Sequence, residues 1–315
     1  MAWQPDTVME HISELDLSKS APVMPSELKS YQKYYGLNFE SDFEQLEHIV
    51  GFLHVAQFKI VAHVFKQPQA KGTVFLQHGY YDHVGLYSKL IKHCLQQGFN
   101  VFSYDLPGHG LSSGERAGID SFDQYDQVFC EGLALIQKYL PSPIVAIGQS
   151  TGGAIIINYL LSRGLTRYTS PFANVYLLAP LVRPVDWNVS VLFFHVARPF
   201  IRKMKRNFAI NSGDSDFLKF LREHDPLQPL YLQVSWVGAL RKWIKFIENS
   251  AQVDLDLHVI QGTNDGTVDY KHNMKVLEDK FTGFDVTYVE AGRHQLVNEE
   301  QDKLKQVLAR LGPLI

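Results

Sequence analysis

IVAIGQSTGGAIIINYLL, residues 144–161, is the stretch on which the reading of this chain turns. Its first five residues form an unbroken apolar run of strand length, and a run without alternation suits a strand buried on both faces. Its last eight residues read as a helix, with Gly164 as a ready terminator. Between them, Gly148-Gln149-Ser150-Thr151-Gly152 matches G-x-S-x-G. A turn that passes straight from strand to helix brings the two backbones together, so the positions two before and two after the serine must be small. The serine hydroxyl then stands free beyond the strand end, beside the first N–H groups of the helix. A second match, Gly110-Leu111-Ser112-Ser113-Gly114, follows a Pro-Gly loop and runs into Glu115-Arg116 instead of an apolar helix. That context makes Ser112 a loop residue and Ser150 the expected nucleophile.

Outward from this unit the same rhythm repeats. Upstream, TVFLQ (73–77) is a short apolar run leading into His78-Gly79, and LYSKLIKHCLQQ (86–97) has helical spacing and stops at Gly98. NVFSYDL (100–106) is strand-like, and residues 121–140 read as a helix followed by Pro141 and Pro143. Further out, His48 to Lys66 suggests paired strands at a sheet edge. Downstream come the strand VYLLA (175–179), then LDLHVIQ (255–261), a helix over 271–280, VTYVE (286–290) and a last helix over 299–311. Strands alternating with helices predict an α/β fold: a mostly parallel central sheet covered by helices on both faces. The rhythm breaks over 182–250, a stretch rich in aromatic, Arg and Lys residues that reads as several helices. Inserted between two late strands of one sheet, it would form a helical cap over the strands' carboxyl edge, where open α/β sheets bind ligands. The expected organisation is thus a polar, tyrosine-rich and irregular leader over 1–45 packed on the body, core over 46–181, cap over 182–250 and core again over 251–315.

Composition narrows the function. The chain has 315 residues, 45% of them hydrophobic and 20% charged, ordinary values for a globular protein able to bury a large core. A net charge of −3 argues against a nucleic-acid partner held by bulk charge. Cys94 and Cys130 cannot make a disulfide framework and fit a reducing compartment. The opening twenty residues do not read as a secretory signal, and no apolar stretch nears the ~20 residues of a membrane helix. The expectation is a cytoplasmic protein, with the inner membrane face as a peripheral location. No repeat, low-complexity tract or His/Cys cluster with metal-ligand spacing is present, so neither metal nor organic cofactor is expected.

Five segments carry a family resemblance: HGYYDHVGLY (78–87), DLPGHGLSSGE (105–115), GQSTGG (148–153), QGTNDGTVD (261–269) and GRHQLVNE (292–299). They resemble the monoglyceride lipase and lysophospholipase branch of the α/β-hydrolase superfamily, often grouped with serine-aminopeptidase-like hydrolases. The resemblance covers about residues 48–312. It implies an α/β-hydrolase fold and a carboxylic ester hydrolase forming an acyl-enzyme, with monoacylglycerol or lysophospholipid-like substrates.

A serine hydroxyl needs a base, and the base needs an orienting carboxylate. In this superfamily their chain order is Ser, Asp or Glu, then His. His294 lies in a short loop after VTYVE and before the final helix, the position of the base. Asp265, in the loop after LDLHVIQ, is the favoured acid. Asp269 better suits a helix N-cap, Asp254 and Asp256 come before or within the strand, and Asp186, the candidate one strand earlier, lies in the cap. By resemblance the oxyanion hole is built from the backbone N–H groups of Tyr80 and Thr151. His78 comes too early to be the base and is expected to hold its loop, as is His109 in DLPGHG.

The branch usually has a small residue where this chain has Tyr81, and often His and Met where Gln149 and Thr151 flank the serine. These departures bear on the acyl pocket, for which the expected residues are Tyr81, Gln149, Trp187, Phe193 and Phe194. The cap also carries Arg198, Arg202, Lys203, Lys205 and Arg206 beside apolar residues. Two readings follow: an interfacial helix on anionic lipid, or a lid that buries its apolar face and solvates its charges. Two functional alternatives also stand beside the esterase. One is the same triad acting on an amide, an N-terminal peptide bond or an activated C–C bond. The other is a non-catalytic binding protein, against which the intact triad speaks.

Overall fold

Short apolar runs punctuated by Gly and Pro become strands of a single nine-stranded sheet in the computed structural model, which describes residues 3–315 except for the side chains of Phe193 and Ala197. In chain order the elements are α1 (Pro5–Glu10), β1 (Ser13–Glu14), α2 (Ser26–Tyr35), β2 (Glu47–Val55), β3 (Phe58–Lys66), β4 (Thr73–Gln77), α3 (Ser88–Gln96), β5 (Asn100–Tyr104), α4 (Phe122–Tyr139), β6 (Ile144–Gln149), α5 (Thr151–Ser162), β7 (Phe172–Leu178), α6 (Trp187–Ala197), β8 (Lys203–Lys205), α7 (Ser215–Glu223), β9 (Tyr231–Gln233), α8 (Val234–Asn249), β10 (Val253–Gly262), α9 (Tyr270–Lys280), β11 (Phe281–Val289) and α10 (Gln301–Arg310). The strand order is β1-β2-β3-β5-β4-β6-β7-β10-β11. From β5 to β11 every neighbouring pair is parallel, and β3 runs antiparallel to both β2 and β5.

The unbroken apolar runs have their expected cause. Along β4, Phe75 packs into the core on one face, and its neighbours Val74 and Leu76 pack into the core on the other. Both faces are therefore covered, and alternation disappears from the sequence. Each such side chain contributes about 1.5–3 kcal/mol by leaving water. Ser121 caps α4 by accepting from the Asp123 N–H, and Asp269 caps α9 by accepting from the His272 N–H.

Three regions differ from the sequence reading. The leader is not irregular: α2 is ten residues long and buries Leu28, Tyr31, Gln32 and Tyr35. Their spacing is i, i+3, i+4, i+7, an amphipathic stripe built from tyrosines rather than aliphatic residues. The leader also supplies β1, which pairs parallel with β2 at the sheet edge. The segment between β7 and β10 holds three helices but also an antiparallel ribbon of β8 and β9, whose three-residue strands are too short to display a period of two. Finally, β11 starts five residues before the expected Val286; its first half is half-buried and broken by Gly283, so no apolar run announces it.

The strand-to-helix turn is packed as tightly as its glycines suggest. A Cβ on Gly148 would lie 2.6 Å from the Gly152 carbonyl carbon and the Gly153 nitrogen, and one on Gly152 would lie 2.3 Å from the Gln77 oxygen. Those neighbours are backbone and cannot rotate away. Gly152→Ala is expected to lower the unfolding free energy by about 1–3 kcal/mol or more, whereas Gly266→Ala, with no atom within 4 Å of the added carbon, should change it little. Denaturant unfolding of the two variants checks this; equal stability would refute the packing argument.

Candidate active site

Ser150 sits where β6 ends and α5 begins, with φ 52° and ψ −113°. A non-glycine residue at positive φ is strained, and the surroundings hold it there. Its N–H donates to the Leu178 carbonyl at 2.9 Å, and its own carbonyl accepts from Ala154 and Leu181. The hydroxyl is thereby raised off the end of a buried strand.

His294, in the loop after β11, brings Nε2 to 2.9 Å from the Ser150 Oγ. Its Nδ1 lies 2.8 Å from Oδ2 of Asp265, in the loop after β10. Asp265 is itself oriented: Oδ1 accepts from the Thr267 and Val268 N–H groups, and Oδ2 also accepts from Gln261 Nε2. With a carboxylate before Nδ1, that nitrogen carries the proton and Nε2 presents its lone pair to the serine hydroxyl. Burial disfavours the imidazolium, but the Asp265 charge, its hydrogen bond and the more distant Asp82 outweigh burial, so the His294 pKa is raised above the ordinary 6.5. Asp265 moves the other way: burial opposes its charge, and His294 and the two backbone donors more than restore it.

The loop after β4 passes close by; a Cβ on Gly79 would lie 3.3 Å from Ser150 Cβ. It is braced from behind. Gly79 donates to the Tyr87 hydroxyl, which donates to Asp82, and the Tyr80 hydroxyl donates to the Ala117 carbonyl. Among the described residues, neither the Tyr80 N–H nor the Thr151 N–H has a hydrogen-bond acceptor. Free amides beside the Ser150 hydroxyl are the kind of donors that can receive a developing oxyanion.

The remaining candidates divide by location. Tyr80, Tyr81, Thr151, Trp187 and Phe194 line a cavity of about 490 Å³ that also reaches Ser150 and His294. The Phe193 side chain lies outside the described residues. Gln149 does not line the cavity. Its side chain turns beneath the serine and donates to the His294 carbonyl at 2.8 Å, tying the end of β6 to the histidine loop. Ser112 donates to the Asp105 carbonyl and accepts from the Val61 N–H, so its hydroxyl is consumed in holding a loop. His78 accepts from the Leu106 N–H and donates to the Gly79 carbonyl, and burial keeps it neutral. His109 donates to the Pro107 carbonyl, and burial pushes its pKa down to about 3.

Sequence reading passed over Gln295, whose amide donates to both oxygens of Asp82; its position beside His294 was the available signal. Trp236, one of the apolar cap residues, stacks on Tyr80 at 3.9 Å, and sequence reading also passed over the pair formed by His83 and Asp225. That pair joins the loop after β4 to the segment following α7, and Tyr35 of α2 donates to the same carboxylate. No local pattern marks such long-range partners.

Sheet order, strand-to-helix turn and flanking helices together define an α/β-hydrolase fold. A family model described as serine aminopeptidase, S33 (Hydrolase_4) matches residues 68–301, and the chain belongs to that family. It is similar to the monoglyceride lipase of Rattus norvegicus, 31% identical over 149 residues, which are 47% of this chain and 47% of the relative. The chain thus spans about half the length of that relative. Caffeoylshikimate esterase of Arabidopsis thaliana is 25% identical over 260 residues, covering 77% of this chain and 76% of the relative. A crystal structure of a soluble variant of the Saccharomyces cerevisiae monoglyceride lipase, in complex with a substrate analog, superposes with a TM-score of 0.68 at 17% identity, covering 82% of this chain and 92% of that one. At that identity the likeness concerns the fold alone.

Proposed function

We propose that this chain is a carboxylic ester hydrolase in which Ser150 is the nucleophile, His294 the general base and acid, and Asp265 the group that orients it. The observation carrying the reading is the continuous contact from Oγ through the imidazole to a buried carboxylate, 2.9 Å and 2.8 Å long. His294 takes the Ser150 proton as Oγ attacks the ester carbonyl. The oxyanion is received by the N–H groups of Tyr80 and Thr151, each donor worth about 2.7–4 kcal/mol in the transition state. The protonated imidazole then gives its proton to the leaving alcohol, and water, activated by the same histidine, releases the acid from the acyl-enzyme. None of these steps calls on a cofactor.

The cavity wall supports a lipid-like acyl group: Leu181, Val189, Phe194, Leu232, Trp236 and Leu240 all face it. Monoacylglycerol and lysophospholipid-like esters are the proposed substrates. The aminopeptidase reading fits less well. An α-ammonium group needs an anionic partner, and no Asp or Glu lines the cavity among the described residues. A panel of p-nitrophenyl esters, monoacylglycerols, lysophospholipids and amino-acid arylamides tests the assignment. Turnover of esters with little or none of arylamides is expected; the reverse order would overturn it.

The pH profile follows from the imidazole. His294 must be neutral to accept a proton, and its pKa is raised above 6.5. The rate constant kcat/KM should therefore climb along an acid limb whose midpoint lies above 6.5. A midpoint below 6.5 would contradict the pairing with Asp265.

For location, no helix among the described residues is long and apolar enough to cross a membrane. Leu192, Val196 and Phe200 are exposed next to the exposed basic residues Arg198, Arg202 and Lys203. This face of the cap is suited to rest on an anionic bilayer, which would place the protein peripherally at the inner membrane face. Cys94 and Cys130 are both free, as a cytoplasmic setting favours. Co-sedimentation with phosphatidylserine vesicles should fall several-fold in Phe200→Ser combined with Arg202→Gln; unchanged binding would remove this face from the account.

A further inference from the structure

One cation faces the cavity without a carboxylate in direct contact among the described residues. Arg206 follows β8, and its backbone N–H is held by the Leu230 carbonyl at 2.9 Å. Its guanidinium lies over two rings, 4.0 Å from the Tyr81 centroid and 4.4 Å from that of Phe208. Packed in this way, a guanidinium can hydrogen-bond only through the edges of its plane. One edge is taken: Nη1 donates to Gln228 Oε1 at 2.8 Å and toward the Pro229 carbonyl at 3.4 Å. Nε and Nη2 have no hydrogen-bond partner among the described residues, and Arg206 makes no ion pair with any carboxylate there.

The acids nearest in charge are engaged elsewhere. Asp225 is paired with His83 and also accepts from Tyr35 and Gln228. Asp82 accepts from Gln295 and Tyr87. Among the cavity-lining residues Arg206 is the one permanently charged side chain. Two further polar groups on the same wall are unsatisfied: the buried Asn211 Oδ1 and Gln295 Oε1 accept nothing. A half-buried arginine with a free edge, next to two unsatisfied amide oxygens and over the loop that bears Tyr80, is a site for an anionic oxygen group.

Resting on the esterase reading, we propose that the alcohol part of the substrate ester carries an acidic oxygen group, phosphate or carboxylate, and that Arg206 binds it through Nε and Nη2. The hydroxyls of the leaving alcohol would fall to Asn211 and Gln295. The acyl chain occupies the apolar remainder of the cavity. Arg206 then determines specificity: it acts on which ester is chosen and takes no part in moving protons.

Three hexanoyl esters that stay monomeric in solution test this: 1-hexanoyl-glycerol, 1-hexanoyl-glycerol 3-phosphate and the hexanoyl ester of glyceric acid. Rates are normalised to active sites titrated with a fluorophosphonate. A charge-assisted contact predicts that one of the acidic esters has a kcat/KM about 10- to 100-fold above the neutral one, and the better of the two identifies the group as phosphate or carboxylate. In Arg206→Gln that ratio should fall toward 1, mainly through KM, and Arg206→Lys should restore part of it. Because each ratio is measured within one preparation, partial misfolding of a variant does not affect it. Equal rates on all three esters by the wild type, or an unchanged ratio in Arg206→Gln, would overturn the proposal while leaving the esterase reading in place. No turnover of any ester and no fluorophosphonate labelling would instead remove the reading on which it rests.

Discussion

Ser150→Ala should reduce kcat toward esters by about 10⁶-fold, the scale seen when the nucleophile of a Ser-His-Asp unit is removed. The size follows from the way the parts depend on one another. Without Oγ, His294 has no serine proton to take and no acyl-enzyme can form. A residual acceleration of about 10³–10⁴ over water would remain from the oxyanion donors and the binding cavity. Fold should be retained, because losing one hydroxyl opens almost no space and the turn's glycines are untouched. Steady-state kinetics on a p-nitrophenyl ester, with circular dichroism as a fold control, give the result. A loss of less than about 100-fold would mean that another group performs the attack.

Asp265→Asn is expected to cost about 10⁴-fold in kcat, with near-normal stability. The hydrogen bonds around the carboxylate explain so large an effect from an isosteric change. Oδ1 accepts from two backbone N–H groups, Thr267 and Val268. An asparagine must keep its carbonyl oxygen there, which turns its NH₂ toward His294 Nδ1. That NH₂ can only donate, so Nδ1 loses its proton and Nε2 acquires one. The imidazole then faces Ser150 with a donor where an acceptor is required. The Gln261 amide, now meeting another donor, adds strain. A variant retaining more than about a tenth of wild-type kcat would show that the carboxylate does not set the tautomer.

Much of the scaffold could be read because its causes are local. Apolar runs such as IVAIG and TVFLQ become strands covered on both faces, and Gly and Pro mark their ends. Ser150 stood out from Ser112 through its neighbours alone: a buried strand before it and an apolar helix after it. Asp265 separated from Asp269 because the latter sits at a helix start, where it accepts from the His272 N–H. The unread features depend on residues distant in sequence. The helix α2 hides its amphipathic stripe in tyrosines, and the β8–β9 ribbon is too short to show alternation. Gln149 looked like a pocket residue because it adjoins Ser150, yet the alternation of a strand turns it to the opposite face, beneath the His294 loop. Arg206 read as one of five basic cap residues. Only the two rings packed against it, and the lack of acids among the described residues of the cavity wall, set it apart.

The most direct test is the site of covalent modification. A fluorophosphonate mimics the tetrahedral intermediate and reacts with a serine activated by a neighbouring base. After labelling and proteolysis, mass spectrometry should find the adduct on the peptide containing Ser150, in stoichiometric yield, and His294→Ala should abolish it. An adduct on Ser112 or any other residue, or an unmodified protein under conditions that inactivate a known serine hydrolase, would contradict the account at its centre.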